Sequence, residues 1–255
     1  MNYIVSATTD IGTTKENNQD SFNVRVLQTP LGKMVFAVLC DGMGGLSKGE
    51  VASATVVNAF CNWVEKRLPQ LCRTGIEDNI IRKDWLDVVS EYNEKIRLYG
   101  KSCNVSMGTT VTAMLLTQTR YYIINIGDTR AYEITDNIKQ ITKDHTVVAK
   151  EVEMGVLKEE DAEKDPRRSV LLQCVGASEE IYPDLFFGDT VQGAVYMLCT
   201  DGFRHEIKKD ELLQYLNPSV MLSAEGMKQN VEMLIELNKQ REERDNISVV
   251  TVRTF

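Results

Sequence analysis

The sequence predicts an α+β fold in which two antiparallel β-sheets pack on each other and amphipathic helices cover their outer faces. Three observations carry that expectation. Nine short runs rich in Val, Ile, Thr and Tyr are bounded by Gly, Asp or Asn, as strands are. Several follow one another across tight turns, which favours antiparallel pairing. Longer segments between them repeat apolar residues at helical spacing and need a sheet face on which to bury that stripe.

In chain order, strands are read at "NYIVSAT", "SFNVRVL" and "KMVFAVLC". A helix follows, with Val56, Phe60, Trp63 and Val64 on one face, and a second runs from Asp84 toward Tyr99. "TTVTAMLL", "RYYIINIG" and "RAYEI" come next. The stretch "LLTQTRYYIINIGDTRAYEITDNIKQIT" reads as a meander with Gln118-Thr119 and Asp136-Asn137 at its turns. A polar, partly helical segment covers residues 147–168, then come "DLFFGDTV" and "VYMLCT". Val220, Ala224, Met227, Val231 and Leu234 step by +4, +3, +4, +3 through a last helix, before the strand "ISVVTVRT". No repeat, low-complexity tract or Pro-rich linker divides residues 1–255, so one domain is expected.

Composition narrows the function classes. With 37 acidic against 29 basic residues and a net charge of -8, the chain is a poor match for a phosphate backbone, and no nucleic-acid partner is expected. No apolar run approaches the ~20 residues of a membrane span, and "MNYIVSATTD" has no basic flank or cleavage site. A cytoplasmic protein without a membrane partner is the expectation. Cys40, Cys61, Cys72, Cys103, Cys174 and Cys199 form no C-x-x-C pair and are read as buried reduced thiols, with Cys40 and Cys199 packing as small hydrophobes.

Chemistry gathers on aspartates at strand termini. Asp20 precedes a strand, Asp41 ends "VFAVLC", Asp128 follows "INIG", Asp201 ends "VYMLCT" and Asp245 precedes "NISVVTV". An isolated aspartate there is usually a turn residue. Asp41 and Asp201 differ, since each follows a strongly apolar strand and precedes a glycine. Converging carboxylates repel unless a cation sits between them. An all-oxygen set suits Mg²⁺ or Mn²⁺, whereas zinc would call for more than the two histidines present.

"DIGTTKENNQDSF", "LCDGMGGLSKGEVAS", "SMGTTVTAMLL", "NIGDTRAY", "ITKDHT", "DPRRSVLLQCVGA", "LCTDGF" and "DNISVVTV", in this order and spacing, resemble the bacterial branch of the metal-dependent protein phosphatases, the PPM family of type 2C. The resemblance covers nearly the whole chain. It implies an αββα four-layer sandwich and a Ser/Thr phosphatase working in bacterial signalling, with phosphorylated proteins as substrates and a cognate Ser/Thr kinase as partner. It further implies two tightly bound Mn²⁺ or Mg²⁺ ions bridged by the attacking hydroxide, with a looser third. Carried over by position, Asp41 bridges the pair and the Gly42 carbonyl binds one ion. Asp201 and Asp245 complete the first ion's shell, Asp20 supports the second through water, and Asp128 with Asp201 holds the third. Asp41 and Asp201 thus stand as the catalytic residues, acting through metal-held water. Residues 147–168 match a flap beside the cleft that helps choose substrates.

Three positions depart from the family pattern: Lys15 stands where many relatives grip phosphate with Arg, Gln19 where many have Glu, and Leu46 where a His is frequent. Lys15 keeps the charge but loses the bidentate fork. Met43 leaves no protein acid for the leaving group, which falls to a metal-bound water. His145 is read as a structural hydrogen-bonder and His205 as a helix-start or cleft-rim residue. Two other readings compete. "GLSKG" fits the nucleophile elbow of α/β-hydrolases, with Ser47, an Asp and His205 as triad, but Ser47 lies six residues past its strand and an antiparallel meander contradicts that fold. A catalytically dead phosphatase fold used as a binding module is opposed by the filled ligand positions.

Overall fold

The computed structural model describes residues 1–43 and 48–255. Ten strands make two five-stranded sheets, antiparallel at every named pairing. The first sheet holds β1 (Tyr3–Asp10), β10 (Ile247–Thr254), β9 (Val195–Cys199), β6 (Arg130–Ile134) and β7 (Ile138–Gln140) in that order. The second runs β2 (Ser21–Thr29), β3 (Gly32–Cys40), β4 (Val111–Leu116), β5 (Arg120–Ile126) and β8 (Asp184–Asp189). All nine expected runs are strands, and the α+β sandwich is borne out.

Helices cover both outer faces. Against the second sheet lie α1 (Gly49–Lys66), α2 (Leu68–Thr74) and α3 (Asp78–Cys103); against the first lie α7 (Lys209–Leu216) and α8 (Ala224–Gln240). The short α4 (Val147–Glu153), α5 (Glu159–Ala162) and α6 (Asp201–Arg204) belong to the connections. This layering explains why β3 shows no polar alternation. Met34, Phe36, Val38 and Cys40 face the helices, while Val35, Ala37 and Leu39 face the other sheet, so both sides are buried. Phe36, Phe60, Trp63 and Trp85 pack with ring centroids 5.6–6.5 Å apart in the helix-side core.

Several boundaries differ from the sequence reading for local reasons. The second long helix begins at Asp78, because Ile81 lies on the same buried stripe as Trp85, Val89 and Ile96. The last helix begins after Ser223, whose hydroxyl accepts the Gly226 amide at 3.1 Å, so Val220 lies outside it. Cys103, on the final turn of α3, is exposed, unlike the other five thiols. The expected meander is also divided. Its two outer turns hold, but β5 and β6 belong to different sheets, and the chain crosses between them through Gly127 and Asp128. Gly127 makes the crossing at φ +102°, with the Thr110 side chain where a Cβ would sit. That crossing delivers Asp128 to the strand ends where Asp20, Asp41, Asp201 and Asp245 are found.

Candidate active site

Asp41 is fixed by its backbone. Its amide donates to Thr110 Oγ1 at 2.9 Å, and its carbonyl accepts from the Thr110 amide and the Thr109 hydroxyl, both at 2.8 Å. Its carboxylate, by contrast, has no donor within hydrogen-bond distance among the described residues. The next residue is held as tightly: the Gly42 amide donates to Gln19 O at 3.1 Å, and a Cβ at position 42 would lie 2.4 Å from that oxygen and 2.6 Å from the Gly49 carbonyl. Only glycine lets β3, the lead into β2 and the start of α1 meet this closely.

The other four carboxylates converge on the same end of the sandwich. Asp20 accepts from Thr200 Oγ1 at 3.3 Å through one oxygen, while its other oxygen is buried with no partner. Asp201, 6% exposed, accepts from Ser169 Oγ at 3.2 Å and likewise keeps one buried oxygen unpartnered. Asp128, 4% exposed, faces Arg204 Nη2 at 3.7 Å. Asp245 pairs with Lys15 Nζ at 2.8 Å. Burial, followed by the charges of Asp20, Asp201, Asp128 and Asp245, drives the Asp41 carboxyl well above the usual carboxylate range. Burial and the Asp201 charge push Asp128 up to about 8 against the opposing Arg204. Asp20 is pushed up to about 7 by burial and by Asp201 and Asp245, although Thr200 donates to it.

These observations test the fit of a cation. Among the described residues, no three Asp, Glu, His or Cys side chains close tightly enough to hold an ion unaided. Unscreened carboxylates repel, and here each leans on a protein donor where one is available. Two buried carboxylate oxygens without partners and an Asp41 carboxylate without a donor are what a hard oxygen-seeking cation would satisfy. The donor set fits such an ion, and the structure brings Asp20, Asp41, Asp128, Asp201 and Asp245, the residues carried over by the resemblance, to one end of the sandwich.

Lys15 enters the same cleft. Burial works against its ammonium, but the Asp245 hydrogen bond and the charges of Asp245, Asp41 and Asp201 hold it above its ordinary value. Gln19 turns its side chain toward Glu50 Oε2 at 3.4 Å, and its amide donates to Asn246 Oδ1 at 2.9 Å. Ser47 and Leu46 lie outside the described residues. The elbow reading fails on the sheets, whose named pairings are all antiparallel.

The histidines divide. His145 accepts the Gly127 amide at 3.2 Å and meets Asp184 at 3.2 Å, a structural role as expected. His205 is no rim residue. It ends α6, 10% exposed at the side chain, 3.6 Å from Asp201 and 3.5 Å from Glu243. Burial opposes ionisation of Glu243, yet His205 and the Asp245 and Arg244 amides hold it below the usual carboxylate range. Glu243 therefore fixes both the imidazole beside Asp201 and the backbone of Asp245.

Other supporting residues carry no periodic signal in the sequence. Asn246 accepts the Gln19 amide and donates to Ile11 O and Asn17 O, tying the loop that bears Lys15 to the head of β10. Arg204 donates to Asp128 O at 3.2 Å and reaches Asp144 at 3.5 Å, while Asp144 takes a bidentate grip from Arg130. "DGFR" and "DN" were visible motifs, but nothing in them told which partner each side chain would find.

Comparison with known proteins identifies the family of this fold. The family model described as protein phosphatase 2C matches residues 12–236. A serine/threonine phosphatase stp of Listeria innocua is 28% identical over 249 residues, covering 96% of this chain and 93% of the relative. The serine/threonine phosphatase of S. agalactiae superimposes with a TM-score of 0.85 at 27% identity, over 100% of both chains. The catalytic domain of the phosphatase PstP, solved with two manganese ions, superimposes with a TM-score of 0.77 at 27% identity over 99% of each chain. With the family model spanning most of its length and the acidic cluster in place, this chain belongs to the protein phosphatase 2C family and is a metal-dependent phosphoprotein phosphatase.

Proposed function

We propose that this chain removes phosphate from phosphoserine and phosphothreonine in proteins, using Asp20, Asp41, Asp128, Asp201, Asp245 and the Gly42 carbonyl to hold Mn²⁺ or Mg²⁺. The carrying observation is the meeting of five carboxylates at one end of the sandwich, two of them with buried unpartnered oxygens. Bound divalent cations at such a site supply a water nucleophile at neutral pH and offset phosphoryl charge. The chain's own residues do the positioning. Thr109 and Thr110 fix the Asp41 backbone, His205 and Ser169 brace Asp201, and Arg204 holds Asp128. Residues 147–168 form the flap beside this cleft. They carry α4 and α5, and the chain just after them brings Ser169 to Asp201. A cognate Ser/Thr kinase and a cytoplasmic setting complete the proposal; among the described residues, no helix is long and apolar enough to cross a membrane.

Lys15 is the phosphate-binding residue in this scheme, and its grip is a single point charge shared with Asp245. Lys15→Ala is expected to raise KM by about tenfold while lowering kcat by less than about threefold, the pattern of lost ground-state binding. Lys15→Arg should match or improve the wild-type KM, since its fork can engage two phosphate oxygens. Steady-state kinetics on one phosphothreonine peptide decides this, and identical constants for all three proteins would remove Lys15 from the site.

A single displacement by water leaves no covalent trace on the protein. Rapid acid quench with ³²P-labelled substrate should recover no phosphoprotein during turnover, whereas stoichiometric label on Ser47 or any other side chain would establish a protein nucleophile and overturn the scheme.

A further inference from the structure

The far end of the first sheet, opposite the acidic cluster, holds a cleft of about 450 Å³. The β6–β7 turn at Thr135 and Asp136, the turn before β9 at Gln192 and Gly193, and the loop between α7 and α8 surround it, and Arg253 of β10 lines its wall. The strand alternation explains how an arginine comes to be there. Ile247 and Val249 face the helices, Val250 and Val252 face the other sheet, and Arg253 therefore falls on the helix side. At that point the strand passes beneath the loop between α7 and α8, where apolar cover gives way to Asn217 and Ser219.

Arg253 is an unusual arginine in this chain. It is only 9% exposed, and among the described residues no carboxylate lies within ion-pair distance of it. Nη1 donates to the Ala194 and Thr254 carbonyls, and the guanidinium lies over the Phe255 ring at 4.6 Å. Nε is buried without any acceptor. A buried charge is normally paired, because desolvation otherwise disfavours it. Burial without a compensating anion accordingly lowers the Arg253 pKa. An oxyanion in the cleft would supply the missing countercharge through the guanidinium N–H groups that the Ala194 and Thr254 carbonyls do not take.

We propose that this cleft binds a small oxyanion, a phosphate or carboxylate group, on the free edge of the Arg253 guanidinium. The cleft is larger than the anion alone, so the ligand carries an organic portion against Leu222 and Pro218. The Thr135 and Ser219 hydroxyls are the neutral groups beside it, since the Asn217 side chain is engaged with Thr135 O and the Ser219 amide, while the exposed Asp136 on the rim opposes the anion.

The site is tested on the Mg²⁺-loaded protein by following backbone amide NMR resonances of Gly193 and Ser219 during titration with inorganic phosphate and, separately, succinate. These amides lie at the opposite end from the carboxylate cluster, so anion binding there is read apart from binding at the active site. Saturable shifts with at least one probe are expected, and the tighter probe identifies the anion class. Arg253→Gln should weaken binding at least about tenfold, Arg253→Lys should fall between, and Asp136→Asn should tighten it by about two- to fivefold. Asp136 lies exposed on a turn, so that variant reports on the site even where Arg253→Gln disturbs folding. Unmoved amides with both probes, wild-type affinity in Arg253→Gln, or unchanged affinity in Asp136→Asn would each overturn the proposal.

Discussion

Asp41→Asn is expected to lower kcat/KM by at least about 10³-fold while raising the melting temperature of the metal-free protein. The two effects share a cause. Asp41 sits among Asp20, Asp201, Asp128 and Asp245 with no donor of its own, and burial plus those charges drive its carboxyl well above the ordinary range. Ionising it therefore works against the fold. Asn keeps the shape and the backbone clamp to Thr110 but removes the charge, so the empty cleft relaxes; each kcal/mol relieved raises the melting temperature by about 2–4 °C in a chain of this size. The same change removes the central anionic ligand for a divalent cation. Steady-state kinetics with saturating Mn²⁺, and thermal melts in chelator, measure the two sides. Near-wild-type turnover, or a lower melting temperature in chelator, would show that Asp41 has a different role.

Thermal stability should also respond to pH and cation together. Asp20 titrates at about 7 and Asp128 at about 8 in the folded chain, against about 4 in an unfolded one. Raised folded values mean that the folded state holds the extra protons between about pH 4 and 8. The unfolded state binds fewer, so metal-free stability falls as pH rises through that window. Asp144 has the opposite sign: Arg130 and Arg204 overcome its burial and hold it low, so its contribution is present at neutral pH and is lost only in acid. A divalent cation competes with the protons on Asp20, Asp41 and Asp128, and its binding stabilises the fold by mass action. Saturating Mn²⁺ is therefore expected to raise the melting temperature more at pH 8 than at pH 5.5. Scanning fluorimetry with and without Mn²⁺ at both values reads this directly, and equal shifts would mean that these carboxylates do not hold the ion.

Much of this arrangement was legible in the residues. Strands bounded by Gly and Asp were readable because β3 and β9 are apolar on both faces, and the carboxylates could be placed because each adjoins a strand end. The division of the meander was not legible. Gly127 and Asp128 look like an ordinary hairpin turn, and only the packing of two sheets decides that β5 and β6 part company there. The start of α3 was misplaced because Glu77 offers no side-chain cap to mark it. His205 was misread for a related reason: its partners Asp201 and Glu243 are 4 and 38 residues away, and β10 has to close beside α6 before they meet.

The central claim is that carboxylates gathered at one end of two packed sheets hold cations on which phosphate removal depends. The most direct measurement is the initial rate on a phosphothreonine peptide after exhaustive chelation and again after Mn²⁺ or Mg²⁺ is returned. A rate falling to background in chelator and recovering with the added ion is the predicted result. An undiminished rate in excess chelator would contradict the account.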